Sequence, residues 1–544
     1  MTSHTSGEFA THQVDERQLL LLMRDWRQGR ATRNIRQAIS DGYVAVFSAA
    51  MITAMVVNVI IHAQRSVSDC ASAGCISGRS LLPWAGLSGV LTMTFAASRM
   101  FGPVLASAAE GFWLMDAPLR RSRLLIRRLV MALIAAFAIG AGVGALIAAL
   151  TGSPGRSIVI WTLATGAAAL GATAFAASEQ TFERSWTLRA LQALVALTGV
   201  AVLGMVIATA AGKATFTITD TLGQSIALGV AGVGILLGVL GALTARARLG
   251  LIRRARLTSG GSLMSGMQGA MFALDFGLMR DIVVERDAVA RGRVRPTRGR
   301  SSGLRALVWR DVQRLFRFPR PLATLGVSVI VPYAVVALGL GSLNVAISAL
   351  VLMAALIPFF NSLRVLARTS GLARCLPYST SEIRTAASVV PAALTLVWAV
   401  LAAPAFIGVW SSSTHRSAVE GTMVAITSAA AGLIGAIRWV SARSPNYSGP
   451  MIATSAGAMP PGMMMNLFRG FDMVALISLP VVFGAPTWLS LAIAAIAFAF
   501  LRSGGISQEQ LADMQEENQR RLAEAKGGSK GAAPKEKIRV ERRK

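Results

Sequence analysis

A chain of 544 residues has room for several soluble domains, but it is 53% hydrophobic and only 15% charged, and its mean hydropathy of +0.56 excludes an ordinary soluble protein. A formal charge of +28 would suggest nucleic acid in a soluble chain. Here the arginines lie between apolar stretches and not on one face, which argues against nucleic acid as a partner. What remains is an all-α, polytopic membrane protein of about twelve transmembrane helices, arranged as two six-helix halves.

Residues 1–40 carry Arg17, Arg24, Arg27, Arg30, Arg33 and Arg36 with no apolar core of signal-peptide type, so the first span is expected to act as its own insertion signal. Within this stretch Leu19, Leu22, Met23 and Trp26 share a helical stripe, with Arg24 and Asp25 mostly off it, which predicts a cytoplasmic amphipathic lead-in helix. The first membrane half, 41–245, supplies apolar stretches at 43–63, 81–98, 129–150, 158–177, 191–211 and 226–244, each near the twenty or so residues that cross a bilayer. Cys70 and Cys75 share a polar loop after the first of these. They form a disulfide only if that loop faces an oxidising compartment, and two free thiols are the other outcome.

The segment 246–320 is expected to be a basic cytoplasmic linker. It contains a Met- and Gly-rich stretch at 263–279 suited to an interfacial helix, a turn-rich run from Arg291 to Arg300, and a second lead-in helix with Trp309, Arg310 and Asp311 that ends at Pro319. The second half, 321–502, offers stretches at 323–340, 343–360, 385–409 and 419–437, then two shorter ones at 473–483 and 488–501. The tail, 503–544, is basic and of disordered composition. With both termini inside, the outer loops retain only Arg65, Arg79, Arg156, Lys213 and Arg416, as the positive-inside rule asks of a bacterial plasma-membrane protein. The clusters around Arg120, Arg121 and Arg128, and around Arg246 to Arg256, are then placed to meet anionic lipids.

A short proline turn follows the second span of each half. The first copy is Trp113-Leu114-Met115-Asp116-Ala117-Pro118-Leu119-Arg120-Arg121, and the second is Cys375-Leu376-Pro377-Tyr378-Ser379-Thr380-Ser381-Glu382. A proline sets the entry angle, Ser379 with Glu382 has the spacing of a capping box, and arginines supply directional contacts to a partner. The order of lead-in helix, two spans, proline turn and four more spans resembles the membrane half of type II ABC exporters. The segments Ser444-Pro445-Asn446-Tyr447-Ser448-Gly449-Pro450 and Met459-Pro460-Pro461-Gly462 look like those of an uncharacterised actinobacterial family of exporter membrane proteins. The resemblance implies that both turns are coupling segments. Trp113, Asp116, Pro118, Arg120 and Arg121, with Leu376, Pro377, Ser379 and Glu382, would dock on two separate cytoplasmic ABC ATPase subunits that bind the ATP.

The chain has no phosphate-binding loop of its own, since Gly212-Lys213 continues into Ala214, and His4, His12, His62 and His415 are too scattered for a zinc motif. A permease without its own ATPase or enzymatic activity is therefore expected. Three alternatives stand beside it: an ion-coupled six-plus-six transporter, which needs an intramembrane charge; a membrane scaffold or immunity protein; and an enzyme using scattered outer acids such as Asp69, Asp220 and Glu420. The glycine runs 139–145 and 229–234 are expected to let helices approach closely.

Overall fold

The computed structural model describes residues 73–113, 121–182, 186–210, 220–292, 298–337, 340–369, 371–372, 375–408, 416–441, 452–454, 457–459 and 466–503, with isolated helical positions between 21 and 61. A chain this apolar satisfies its backbone hydrogen bonds inside helices, and the described residues are almost wholly helical. The departure from an all-α reading is one short antiparallel hairpin, in which Ile452–Thr454 pairs with Gly457–Met459.

In the first half the elements are α1 (Ala73–Phe101), α2 (Ala108–Trp113), α3 (Arg121–Leu150), α4 (Gly155–Thr181), α5 (Trp186–Ala210) and α6 (Asp220–Arg248). A 3-10 turn at Leu249–Leu251 leads to α7 (Arg254–Phe272) and α8 (Phe276–Arg291). Then follow α9 (Leu304–Arg317), α10 (Arg320–Ser328), α11 (Ile330–Ala337), α12 (Asn344–Leu356), a 3-10 turn at Ile357–Phe360, α13 (Asn361–Arg368), α14 (Thr380–Ile407), α15 (Ala418–Val440), α16 (Phe471–Val482) and α17 (Thr487–Ser503). Helix ends follow local chemistry. Gly102 and Gly408, at φ +85° and +77°, terminate α1 and α14, and α14 starts with the expected capping box between Ser379 and Glu382.

Among the described residues, eight helices are long and apolar enough to cross a membrane, and the pair Leu304–Arg317 and Arg320–Val336 makes a ninth if taken as one span. That pair bends by 86°, so α9 lies across the direction of the helix that follows it. The 473–483 and 488–501 stretches form helices, but short ones, and the 43–63 stretch falls mostly outside the described residues. Twelve spans is thus more than helix length by itself supports.

Each half is organised around one enclosed helix. In the first, α4 is packed by α3, α6 and α1, while α1 also packs on α5. In the second, α15 is packed by α14, α17 and α12, while α12 also packs on α16. Taken in chain order these four pairings recur in both halves, but the match is partial: α15 also packs on α16 as fully as on α17, whereas α4 scarcely touches α5. The halves meet where α11 packs against α5 and α1.

Small residues make the tightest of these contacts. A Cβ at Gly171 would lie 2.4 Å from the Gly234 carbonyl oxygen, and one at Gly234 would lie 2.6 Å from the Ala167 backbone, so α4 and α6 touch main chain to main chain. Gly140 and Gly144 of α3 similarly face α4, whereas Gly142, Gly229 and Gly232 in the same runs face open space. The glycine runs therefore work through one face only. Gly234→Val is expected to destabilise the protein by about 1–3 kcal/mol through overpacking, with Gly232→Ala close to neutral, as read by thermal unfolding in detergent.

Candidate functional site

The sequence treats 246–320 as a linker, but its helices are packed onto the membrane halves. The chain turns sharply between α7 and α8 at Leu274, a non-glycine residue at φ +50°, and Asp275 caps α8 by accepting from the Leu278 N–H at 2.9 Å. The stretch expected as one interfacial helix is consequently two, folded into a hairpin. The first arm, α7, engages the first half, and the second, α8, engages both.

On the first half, Gly260 and Gly261 of α7 lie against the chain just after α1. Cβ atoms there would come within 2.0 Å of the Phe101 carbonyl oxygen and 1.8 Å of the Ala106 carbonyl oxygen, and the Ala106 N–H donates to the Leu257 carbonyl at 3.3 Å. The same loop is held from behind by buried Gln180 of α4, which accepts from the Val104 N–H at 3.2 Å and donates to the Val104 carbonyl at 3.1 Å. From α8, Arg286 donates to the Met100 carbonyl at the end of α1.

On the second half, Asp281 of α8 accepts from two arginines of α13. Arg364 binds it through Nε and, at 2.9 Å, through Nη2; Arg368 binds it through Nη1 at 2.6 Å. Arg364 Nη2 also donates to the Gly277 carbonyl at 2.6 Å. Neighbouring Arg280 donates to the Ile357 carbonyl at 3.1 Å and to Asn361 Oδ1. The side chain of Arg364 is only 6% exposed and that of Asp281 is 29% exposed, so this contact is largely shielded from solvent screening. Burial, then repulsion from Arg364, lowers the Arg280 guanidinium to about 10 despite the attraction of Asp281.

The lead-in helix α9 belongs to the same assembly. Asp311 is buried and accepts from Ser362 of α13, which in turn accepts from Arg314 at 3.0 Å, and the end of α9 meets α8 where Arg291 stacks over Phe318 at 4.8 Å. α9 also packs on α14, and Gly303 adjoins Tyr378 of the proline turn. Burial raises the Asp311 carboxyl above its ordinary range even though Ser362, Arg314 and Arg310 oppose it.

Of the residues singled out in the sequence, Trp113 ends α2 at 73% exposure and stacks edge-on against Phe112, which is also exposed, with centroids 5.1 Å apart. Glu110, three residues earlier, pairs with Arg128 at 2.5 Å; burial pushes its carboxyl up, but the Ser107 backbone N–H and Arg128 together hold it below the ordinary range. Arg121 opens α3 on the surface. In the second half Pro377, Ser379 and Glu382 are exposed, Leu376 is half-buried, Trp309 is half-buried with its indole N–H enclosed, and Arg310 is exposed. Asp116, Pro118, Arg120, Arg24, Asp25, Trp26, Cys70 and the side chain of Cys75 lie outside the described residues, as does 293–297 of the linker. Among the described residues, no three His, Cys, Asp or Glu gather to hold a metal ion.

A family model described as a family of unknown function, DUF6297, matches residues 75–450, more than half of the chain. The chain belongs to the DUF6297 family. No curated protein and no solved structure matches it. The matched DUF6297 region runs from α1 through α15, and so contains both arms of the α7–α8 hairpin with their contacts on α1, the 3-10 turn at Ile357–Phe360 and α13.

Two outcomes are expected. Asp281→Asn leaves two α13 arginines without their carboxylate and should cost about 3 kcal/mol, whereas Asp287→Asn on the exposed side of α8 should cost less than about 0.5 kcal/mol; thermal unfolding of the purified chain compares them. Because folded Asp311 keeps its proton to higher pH than an unfolded aspartate, the folded state binds more protons in that window and stability falls as pH rises through it. Asp311→Asn should abolish that fall, so its advantage over the parent at neutral pH vanishes on acidification.

Proposed function

We propose that this protein is the membrane permease of an ABC exporter, with twelve spans in two six-helix halves, both termini cytoplasmic, in a bacterial plasma membrane. Separate ATPase subunits, two for the fused halves, would bind and hydrolyse the ATP, and the protein would itself be neither an enzyme nor a nucleic-acid binder. One observation carries this reading most: each half presents an exposed segment just beyond its second span. These are the Phe112–Trp113 pair of α2 and the self-capped turn from Pro377 to Glu382. The repeated pairing of helices around α4 and α15 supports it by giving each segment an equivalent lever to act on.

In this mechanism ATP binding draws the two ATPases together and with them the two exposed segments. Rigid helices transmit that movement to the halves, which shift against each other at the α11 contact with α5 and α1. The α7–α8 hairpin spans both halves near the same segments, so it would limit how far they separate. Arginine clusters from Arg121 to Arg128 and from Arg246 to Arg256 would hold the protein against anionic lipids.

Affinity purification of the full chain from its native membranes should bring down an ATPase. Trp113→Ala and Glu382→Lys should each weaken that association by about tenfold or more, since aromatic anchors and charge reversals act strongly at interfaces. Recovery of the chain with no ATPase, or unaltered recovery with both variants, would reject the exporter reading. Ion-coupled transport is the second reading, and one residue favours it. Glu179 is buried near the end of α4, where it accepts from Thr187 at 2.6 Å. Transport that collapses with the proton gradient and is lost in Glu179→Gln would select that reading instead.

A further inference from the structure

Around Trp439, at the end of α15, cations outnumber anions in a largely buried setting. Arg280 and Arg364 both stack on the Trp439 indole, with guanidinium carbons 5.9 and 5.2 Å from the ring centroid. Arg438 precedes Trp439 in the chain, and Gly470, which leads into α16, packs so closely on Trp439 that a Cβ there would be 3.0 Å from the tryptophan Cβ. The α7–α8 turn joins the same neighbourhood, because Asn466 donates to the Leu274 carbonyl at 3.3 Å.

The carboxylates present are already committed. Asp281 serves Arg364 and Arg368. Asp472 accepts from the backbone N–H groups of Gly470 and Met473 at 2.7 and 2.8 Å and stands 3.5 Å from Arg438 Nε, too far for a well-formed charged hydrogen bond. Asp275 caps α8. Among the described residues, Arg280 Nη1 and Arg364 Nη1 are buried donors with no hydrogen-bond partner, and Arg438 Nε has only its long ion pair with Asp472. A buried guanidinium donor left unsatisfied is costly, and one side chain in this set, Arg364, is more than nine-tenths buried. The depressed pKa of Arg280 comes first from its burial and then from the neighbouring Arg364, which the attraction of Asp281 does not offset.

We infer that this cluster is a binding site for a phosphate-bearing anion, held by Arg280, Arg364 and Arg438 beside Trp439. Phosphate suits the donors available, since guanidinium N–H groups pair with its oxygens directionally and a doubly charged oxyanion offsets the excess cations. The site joins α8 to α13 and α15, so a bound anion strengthens the attachment of the linker hairpin to the second half. A free phosphate compound and the head group of an anionic lipid present the same chemistry, and the location at a helix end admits both. The inference does not depend on the exporter reading, because its test needs neither ATPase nor transport.

The test uses the full chain, purified in a neutral detergent and stripped of bound lipid, with thermal unfolding as the readout. One arm titrates inorganic phosphate against sodium chloride at matched ionic strength. The other compares phosphatidylcholine vesicles with vesicles of phosphatidylcholine and phosphatidic acid. The variants are Arg280→Gln and Arg438→Gln, which leave the Asp281 pairs with Arg364 and Arg368 intact. A stabilising shift that is specific to phosphate or to phosphatidic acid, with apparent affinity about tenfold weaker in either variant, supports the site and identifies its source by the arm in which it occurs. Overturning results are no specific shift in either arm, a shift matched by sodium chloride, or shifts equal in parent and variants.

Discussion

The carboxylate of Asp281 is the contact on which the arrangement of this end of the molecule depends. A hydrogen-bonded aspartate shielded from water and shared by Arg364 and Arg368 fixes α8 on α13. With α8 fixed, Arg286 reaches the end of α1, and α7 lies under the loop that follows α1. The linker thereby becomes a structural element with a partner in each half. α9 is drawn into the same unit through Asp311 and Ser362, so the approach to the second half's first span and the turn after its second span share a single support.

Inside the bundle a different constraint governs. Apolar side chains gain little by leaving lipid for protein, so helices associate through close van der Waals contact, and glycine permits the closest. That is why α4 meets α6 backbone to backbone at Gly171 and Gly234, and why the enclosed helix of each half is rich in small residues. The repeated pairings around α4 and α15 arise despite dissimilar side chains. Equivalent chain order and the need of each half to enclose one helix are sufficient to produce them. The linker hairpin has no such repeat, since α7 meets a loop through glycines and α8 meets a helix through charges.

Much of the fold was legible. The helix expected around Trp309, Arg310 and Asp311 and ending at Pro319 is α9, and Ser379 with Glu382 announced the start of α14, because both signals lie within a few residues along one helix. The glycine runs announced close packing, but which glycines take part depends on how each helix is rotated, and Gly142 and Gly232 turned out to face away. Asp311 looked like one more polar residue on an amphipathic helix, yet it faces Ser362 from fifty-one positions away. The Met- and Gly-rich stretch 263–279 suggested an interfacial helix, and nothing in its period revealed that it folds back at Leu274 or that Gly260 and Gly261 lie under the chain after α1. Gln180 gave no signal at all, being one amide near the end of an apolar span.

By itself, the sequence determined that the chain is helical and apolar enough to be membrane-embedded, roughly where most of its long helices lie, and that the turn from Pro377 to Glu382 starts a helix. These properties come from hydropathy, helical period and capping, all of which act over a few neighbouring residues. Only the tertiary structure decided that the linker grips both halves, that Asp281 takes two of the many available arginines, and that Arg280 and Arg364 keep buried donors unpaired beside Trp439. In a chain with 54 basic residues, no local pattern distinguishes an arginine that meets lipid from one that is buried. That distinction rests on distance between segments some eighty positions apart, and it is made when the helices pack.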